Sequence, residues 1–191
     1  MSTLRWPRRL SNVIGFDDAP FARTHRGPVA LVGTVCSGTR LDIVVRGEVT
    51  RDGDDATAVM ANLVRNKSLV HVRGVMLQGL TTAGFNVIDL HALHAMLEMP
   101  VLVVMRHFPR FDSFFHALAR VPGAEARRAL VEQAGTPEKV GPLYVQRAGL
   151  SLDEAARMLE NTTSHGVIPE PLRLAHLIAG GMTTGKSRGR A

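Results

Sequence analysis

The chain has 191 residues, 45% hydrophobic and 21% charged, which suits one domain with a real core and excludes a disordered or fibrous class. Its net charge of +6 gathers at the ends, at Arg5, Arg8 and Arg9 and at Lys186, Arg188 and Arg190, a pattern that attracts phosphate backbones and also fits solvated tails. The lone Cys36 excludes an intramolecular disulfide and a cysteine zinc cluster, and no apolar run nears the ~20 residues of a membrane span, so the expectation is one cytoplasmic domain over 1–191 with no membrane partner.

Three β-rich runs come first: 12–17, 28–36 and 41–50. The second and third are separated by a few turn residues around Ser37-Gly38, which predicts an antiparallel hairpin and, with the first run, a meander. Asp55 to Arg65 carries Val59/Leu63 and Met60/Val64 at helical spacing. Residues 72–77 read as a buried strand, Asn86 as the start of a helix with Leu90, Leu93 and Leu97 inward, and 101–105 as a second buried strand. Unbroken apolar runs of this kind fit central parallel strands covered on both faces.

Asp112 reads as the N-cap of the next helix, and 124–134 as another. Residues 143–146 read as a short edge strand. Ser151 with Glu154 forms a capping-box pattern, and Pro169 to Ala179 reads as the last helix, ended by Gly180-Gly181. Residues 1–10 and 182–191 read as flexible basic tails. Three antiparallel strands, helix, strand, helix, strand and further helices is the order of an α/β fold with a ribonuclease H-like mixed sheet and flanking helices.

Five constellations carry chemistry. Asp17-Asp18 ends the first strand, where a carboxylate at the sheet rim is a hard ligand for a divalent ion, or where Asp18 before Ala-Pro merely turns the chain. Asp52, Asp54 and Asp55 precede the first helix; capping accounts for one of them, and a metal or substrate role for another stays open. Gln78 to Asn86 is a glycine-bearing segment after a central strand, where α/β proteins place ligands, and Gly79 and Gly84 allow close approach. Arg106-His107 closes the second buried strand, as a cation for a phosphate or a surface ion pair. His176 lies on the last helix near Arg173. His25, His71, His91, His94, His116 and His165 show no ligand spacing, and Cys36 reads as a buried inert thiol.

Ile14-Gly-Phe-Asp17-Asp18-Ala-Pro-Phe, Asp52-Gly-x-Asp55-Ala-Thr, Gly79-x-Thr-x-Ala-Gly-Phe-Asn86 and Ile168-Pro-Glu-Pro-Leu-Arg-Leu-Ala-His176 together resemble the endonuclease V-like family whose members carry the label endonuclease dU. The similarity runs from about residue 10 to the end. Endonuclease V is a more distant relative. The resemblance implies Mg2+- or Mn2+-dependent hydrolysis of a phosphodiester beside a deaminated base, uracil or hypoxanthine, with DNA ahead of RNA as partner. It places Asp17, Asp55 and His176 at the metal, Gln78 and Arg106 among the catalytic residues, and Gly79, Thr81, Gly84, Phe85, Asn86 and Arg173 against substrate.

The chain departs from endonuclease V in three places. The relative's glutamate after its strand-splitting segment has no clear match, and Asp52 or Asp55 is the substitute, with Asp55 preferred by position. Its central metal aspartate, in a strand reading Val-Asp-Gly, falls at Gln78-Gly79, where the amide offers an oxygen without a charge. Its Pro-Tyr-Ile-Pro-like wedge has no counterpart. A nucleic-acid-binding module that kept the fold and lost the chemistry is therefore the alternative. A small-molecule hydrolase or phosphatase at Asp17-Asp18 lacks the Asp-x-Asp spacing of a phosphoaspartate enzyme.

Overall fold

The computed structural model describes residues 12–188. Alternation and β-branching in the first third give β1 (Asn12–Asp18), β2 (Pro28–Ser37) and β3 (Arg40–Thr50). They form an antiparallel meander, its β2–β3 hairpin turning at Gly38 with φ +63°. The apolar runs become β4 (Gly74–Gln78) and β7 (Val101–Met105), which lie parallel to β1 and to each other. The seven-stranded sheet has the order β3-β2-β1-β4-β7-β9-β8, with β8 (Glu138–Val140) and β9 (Leu143–Ala148) antiparallel at the far side.

Helices cover both faces. On one, α1 (Ala56–Val64), α2 (Leu90–Leu97) and α4 (Ala124–Gln133) send Met60, Leu93 and Val131 onto Phe16, Leu77 and Val103. α3 (Phe111–Leu118) packs Phe114 and Phe115 on the same side. On the other, α5 (Leu152–Thr162) and α6 (Glu170–Thr184) send Met158 and Leu172 onto Val13, Met76 and Leu102. The faces alternate residue by residue along β1 and β4, as the two-residue strand period requires. Each such side chain, buried fully, stabilises by about 1.5–3 kcal/mol.

Local signals held where their partners are close in sequence. Ser151 Oγ accepts from Glu154 N at 3.2 Å and Glu154 Oε2 accepts from Ser151 N at 2.7 Å, closing the expected capping box of α5. Five expectations are corrected. Asn86 does not begin a helix: it pairs with Thr82 in a small antiparallel hairpin, β5 (Thr81–Thr82) with β6 (Asn86–Val87). α2 starts after Asp89, which accepts from Ala92 N at 2.8 Å. α3 opens after Arg110, leaving Asp112 in its first turn. Residues 143–146 belong to the longer β9, and β8 lies outside it as the edge. α6 runs through Gly180-Gly181 to Thr184 and ends at Gly185, whose φ of +73° supplies the left-handed cap. Residues 182–184 are therefore helical, while the basic residues Arg5, Arg8, Arg9 and Arg190 lie outside the described residues.

Gly15 sets how closely α6 approaches the sheet. A Cβ there would stand 2.5 Å from the carbonyl carbon of Pro171, and Thr34 Oγ1 donates to Pro171 O at 2.5 Å. Gly15→Ala is therefore expected to destabilise the fold by about 1–3 kcal/mol, because rigid backbone must move. A lowered Tm in thermal unfolding checks it; an unchanged Tm would show that α6 is free to shift.

Candidate functional site

The strand alternation divides the adjacent aspartates at the end of β1. Asp17 points to the α6 face and Asp18 to the opposite one. His176 reaches Asp17 because α6 buries Leu172, Ala175 and Ala179 on the sheet, leaving His176 beside that row over the end of β1. His176 Nδ1 lies 2.8 Å from Asp17 Oδ2. With Asp17 ionised, Nδ1–H donates, which fixes the tautomer and leaves Nε2 with its lone pair. Asp17 Oδ1 accepts from Asp18 N at 3.0 Å. The Asp17 side chain is 16% exposed and that of His176 35%. Burial pushes the Asp17 carboxyl up to about 6, against the hydrogen bond from His176.

Gln78 is the third member. β1 and β4 run parallel with Phe16 beside Leu77, so the next residues, Asp17 and Gln78, are neighbours on one face. Its Oε1 is buried and, among the described residues, has no hydrogen-bond partner. A carboxylate and an imidazole in contact, with an orphaned carbonyl oxygen on the same face of the neighbouring strand end, are donor types that fit a divalent cation, with one formal negative charge among them.

Asp55 does not join them. Among the described residues no three of His, Cys, Asp and Glu form a metal-holding group. Asp55 instead accepts from Thr50 N at 3.0 Å, from Thr50 Oγ1 at 2.7 Å and from Asn86 Nδ2 at 2.7 Å, which holds its carboxyl below the usual range despite some burial. This corrects the metal role expected for Asp55. Asn86 is fully buried; its amide also donates to Thr50 O and accepts from Ala56 N, so it ties β3 to α1 and cannot reach a substrate. Asp52 Oδ1 accepts from Phe85 N at 2.9 Å, and a Cβ on Gly84 would meet that same oxygen. Phe85 packs on Phe114 at 5.7 Å between ring centroids. The two middle motifs thus form a clasp that fastens the β5–β6 hairpin. Asp18 serves it too, accepting from Thr82 Oγ1 at 2.9 Å, with its pKa raised by burial.

Of the other expected residues, Arg106 is exposed just past β7, beside exposed His107 and Arg110. Arg173 is engaged by buried Glu170 at 2.6 Å, so much of its charge is already neutralised. His91 and His94 bond to the carbonyls of Gln133 and Met99. Cys36 is buried, and burial pushes its thiol up to about 12, as an inert thiol requires. Gly79 and Thr81 line a cavity of about 240 Å³ with Met105, Phe111, Phe114 and Gln146. The sequence reading missed those last four; the Phe-rich spacing of 108, 111, 114 and 115 was the signal available.

A family profile described as endonuclease dU matches residues 9–183. The chain belongs to the endonuclease dU family. A UPF0215 protein of Deinococcus radiodurans is 53% identical over 183 residues, covering 95% of this chain and 94% of its own. Another, of Methanosarcina barkeri, is 39% identical over 185 residues, covering 94% of each. A crystal structure from Archaeoglobus fulgidus, of a protein of unknown function, matches with TM-score 0.84 at 32% identity, covering 90% of this chain and 97% of that one. Bacillus subtilis endonuclease V matches with TM-score 0.56 at 14% identity, over 92% and 82%. Ciona intestinalis endonuclease V, solved with a 24mer DNA containing an inosine followed by a ribo-adenosine, matches at 0.54 and 14%, over 86% and 82%. These last two show the shared ribonuclease H-like fold. Among the described residues no helix is long and apolar enough to cross a membrane.

Proposed function

We propose that the chain is a divalent-cation-dependent endonuclease acting on DNA that contains a deaminated base, uracil or hypoxanthine. The meeting of Asp17 and His176 at 2.8 Å beside the unpartnered oxygen of Gln78 carries this reading, and the family membership supports it. Asp17, His176 and Gln78 would hold Mg2+ or Mn2+, which supplies Lewis-acid charge stabilisation at a phosphodiester. Asp17 contributes the negative charge, and Gln78 a neutral oxygen. Arg106 stands past the neighbouring strand as a cation for a phosphate. The Phe-lined cavity next to Gly79 suits a planar base taken out of the stack.

The test is nicking of labelled DNA containing uracil or hypoxanthine in Mg2+ or Mn2+. Cleavage that requires the ion and the modified base is expected; no nicking with either ion overturns the reading.

Gln78 favours a second reading, a nucleic-acid-binding module without catalysis, because it replaces a carboxylate with an uncharged group. That module would bind DNA with strong salt dependence in the presence of EDTA and would cleave nothing.

Cation binding needs Asp17 ionised, so its affinity is expected to fall as pH falls through about 6. Stability follows the opposite sense without metal. The folded-state pKa lies above the unfolded 3.8, so the group contributes stability below about pH 4 that is lost as pH rises through 6. Removing the buried charge with Asp17→Asn should therefore raise the metal-free Tm above pH 6, by an equivalent of up to about 3 kcal/mol. The two melting curves should converge below pH 4; equal Tm at every pH would contradict the burial argument.

A further inference from the structure

The cavity beside Gly79 has a buried polar side chain in a largely apolar wall. Gln146 on β9 is paired with Val103 of β7, so it faces the same side of the sheet as Val103 and Met105. It is 2% exposed, and it lines the cavity of about 240 Å³ with Leu80, Thr81, Met105, Phe111 and Phe114. Its Nε2 donates to Gly135 O, just past α4, at 2.5 Å. A carbonyl only accepts, so this bond fixes which end of the amide is nitrogen. The oxygen end is left over. Among the described residues Gln146 Oε1 accepts no hydrogen bond, and it is not sealed away as the Gln78 oxygen is. In so buried a residue, that opening is onto the cavity it lines.

A fixed acceptor in an apolar wall distinguishes bases by what they present to it. Cytosine and adenine carry an unprotonated ring nitrogen beside their exocyclic amine. Deamination replaces the amine with an oxygen and leaves a proton on that ring nitrogen. N3 of uracil and N1 of hypoxanthine are therefore donors, where N3 of cytosine and N1 of adenine are acceptors. Against Gln146 Oε1 a deaminated base makes a hydrogen bond, while its parent sets two acceptors face to face and leaves both unpaired. One amide oxygen thus serves a pyrimidine and a purine alike. The Thr81 hydroxyl donates or accepts as required, so it selects neither. Arg110 also lines the cavity but is exposed, where water competes for it. Thymine and guanine carry the same ring N–H; an added methyl or amino group separates them, which is a matter of fit and not of Gln146.

We propose, resting on the reading of this cavity as a base pocket, that Gln146 is its specificity-determining residue, with Oε1 accepting from the ring N–H that deamination creates.

Binding of labelled single-stranded oligonucleotides that differ at one base, measured in EDTA, tests this without cleavage. Single strands remove any difference in the cost of unpairing. The natural chain should bind the uracil strand tighter than the cytosine strand, and the hypoxanthine strand tighter than the adenine strand, each by about tenfold or more. A strand with N3-methyluracil, which has no ring N–H, should bind no tighter than the cytosine strand. Gln146→Met keeps the length of the side chain, removes the amide oxygen and should erase both preferences. Gln146→Glu should keep them: a glutamic acid buried this deeply stays neutral, its O–H takes over the bond to Gly135 O, and its carbonyl oxygen remains an acceptor. Thermal unfolding reports whether each variant folds. A natural chain without either preference overturns the proposal together with the deaminated-base reading. A natural chain whose preference survives Gln146→Met, with every strand weakened alike or none, overturns the proposal alone. So does N3-methyluracil bound as tightly as uracil, or a folded Gln146→Glu chain that has lost the preference.

Discussion

Asp17→Ala is expected to reduce nicking by at least about 10³-fold, the largest loss of any single substitution. The substitution removes the Asp17 carboxylate from the α6 face of this rim, and with it the negative charge that a cation needs beside two neutral donors. A loss of several kcal/mol of charge stabilisation corresponds to three or more decades in rate. His176 would also lose the partner that fixes its tautomer, so the two residues should not behave additively. Asp18→Asn makes the control. It lies next in sequence, but its carboxylate faces the other side and accepts from Thr82, a bond that the asparagine oxygen can keep, so activity should stay within about threefold. Single-turnover nicking in Mn2+ with the natural chain and both variants decides the matter. If Asp17→Ala cleaves as the natural chain does, or if Asp18→Asn is the inactive one, the rim of β1 is not the centre.

The contrast between these neighbours shows what the sequence could and could not disclose. The strand ending at Asp17-Asp18 was legible from its apolar run, as were the two central parallel strands, because a buried strand must look apolar throughout. The side each aspartate faces follows from a two-residue period, but only once the register to β4 and the identity of the facing helix are known. The meeting of Asp17 with His176 spans 159 residues and follows from the packing of α6 against Gly15. No local rule announces it; the resemblance to a family did.

Asp55 went the other way. Its position before a helix suggested a ligand or a cap: its backbone takes the N-cap position, but its carboxylate caps nothing and turns to Thr50 and Asn86, the latter 31 residues away. Asn86, expected to start a helix and to face substrate, was misplaced for the same reason, since an amide that satisfies three long-range bonds looks in sequence like any loop asparagine. β8 was missed because three residues, Glu-Lys-Val, carry too little alternation to mark a strand.

Gln78→Glu and Gln78→Asp should produce the largest gain. The Gln78 oxygen is buried, unpartnered and adjacent to Asp17, so the site already has the shape of a ligand position and lacks its charge. Glutamate preserves the reach of the side chain; aspartate draws the oxygen back by about one bond length. A unit charge about 4 Å from another contributes about 4 kcal/mol at the effective dielectric of a protein surface, and desolvation takes back a part. Cation affinity should therefore rise by about 10–100-fold, with the better-fitting variant read directly by isothermal titration. Without metal the same change sets two carboxylates side by side, so the Tm should fall above pH 6 and recover as Asp17 protonates. Calorimetry in EDTA and in Mn2+ separates the two effects. A natural chain that binds DNA without cleaving it, and a Gln78→Asp or Gln78→Glu chain that cleaves, would mean that one missing charge had silenced an intact site. If both variants bind Mn2+ no better than the natural chain does, Gln78 does not face the cation, and its orphaned oxygen needs another partner.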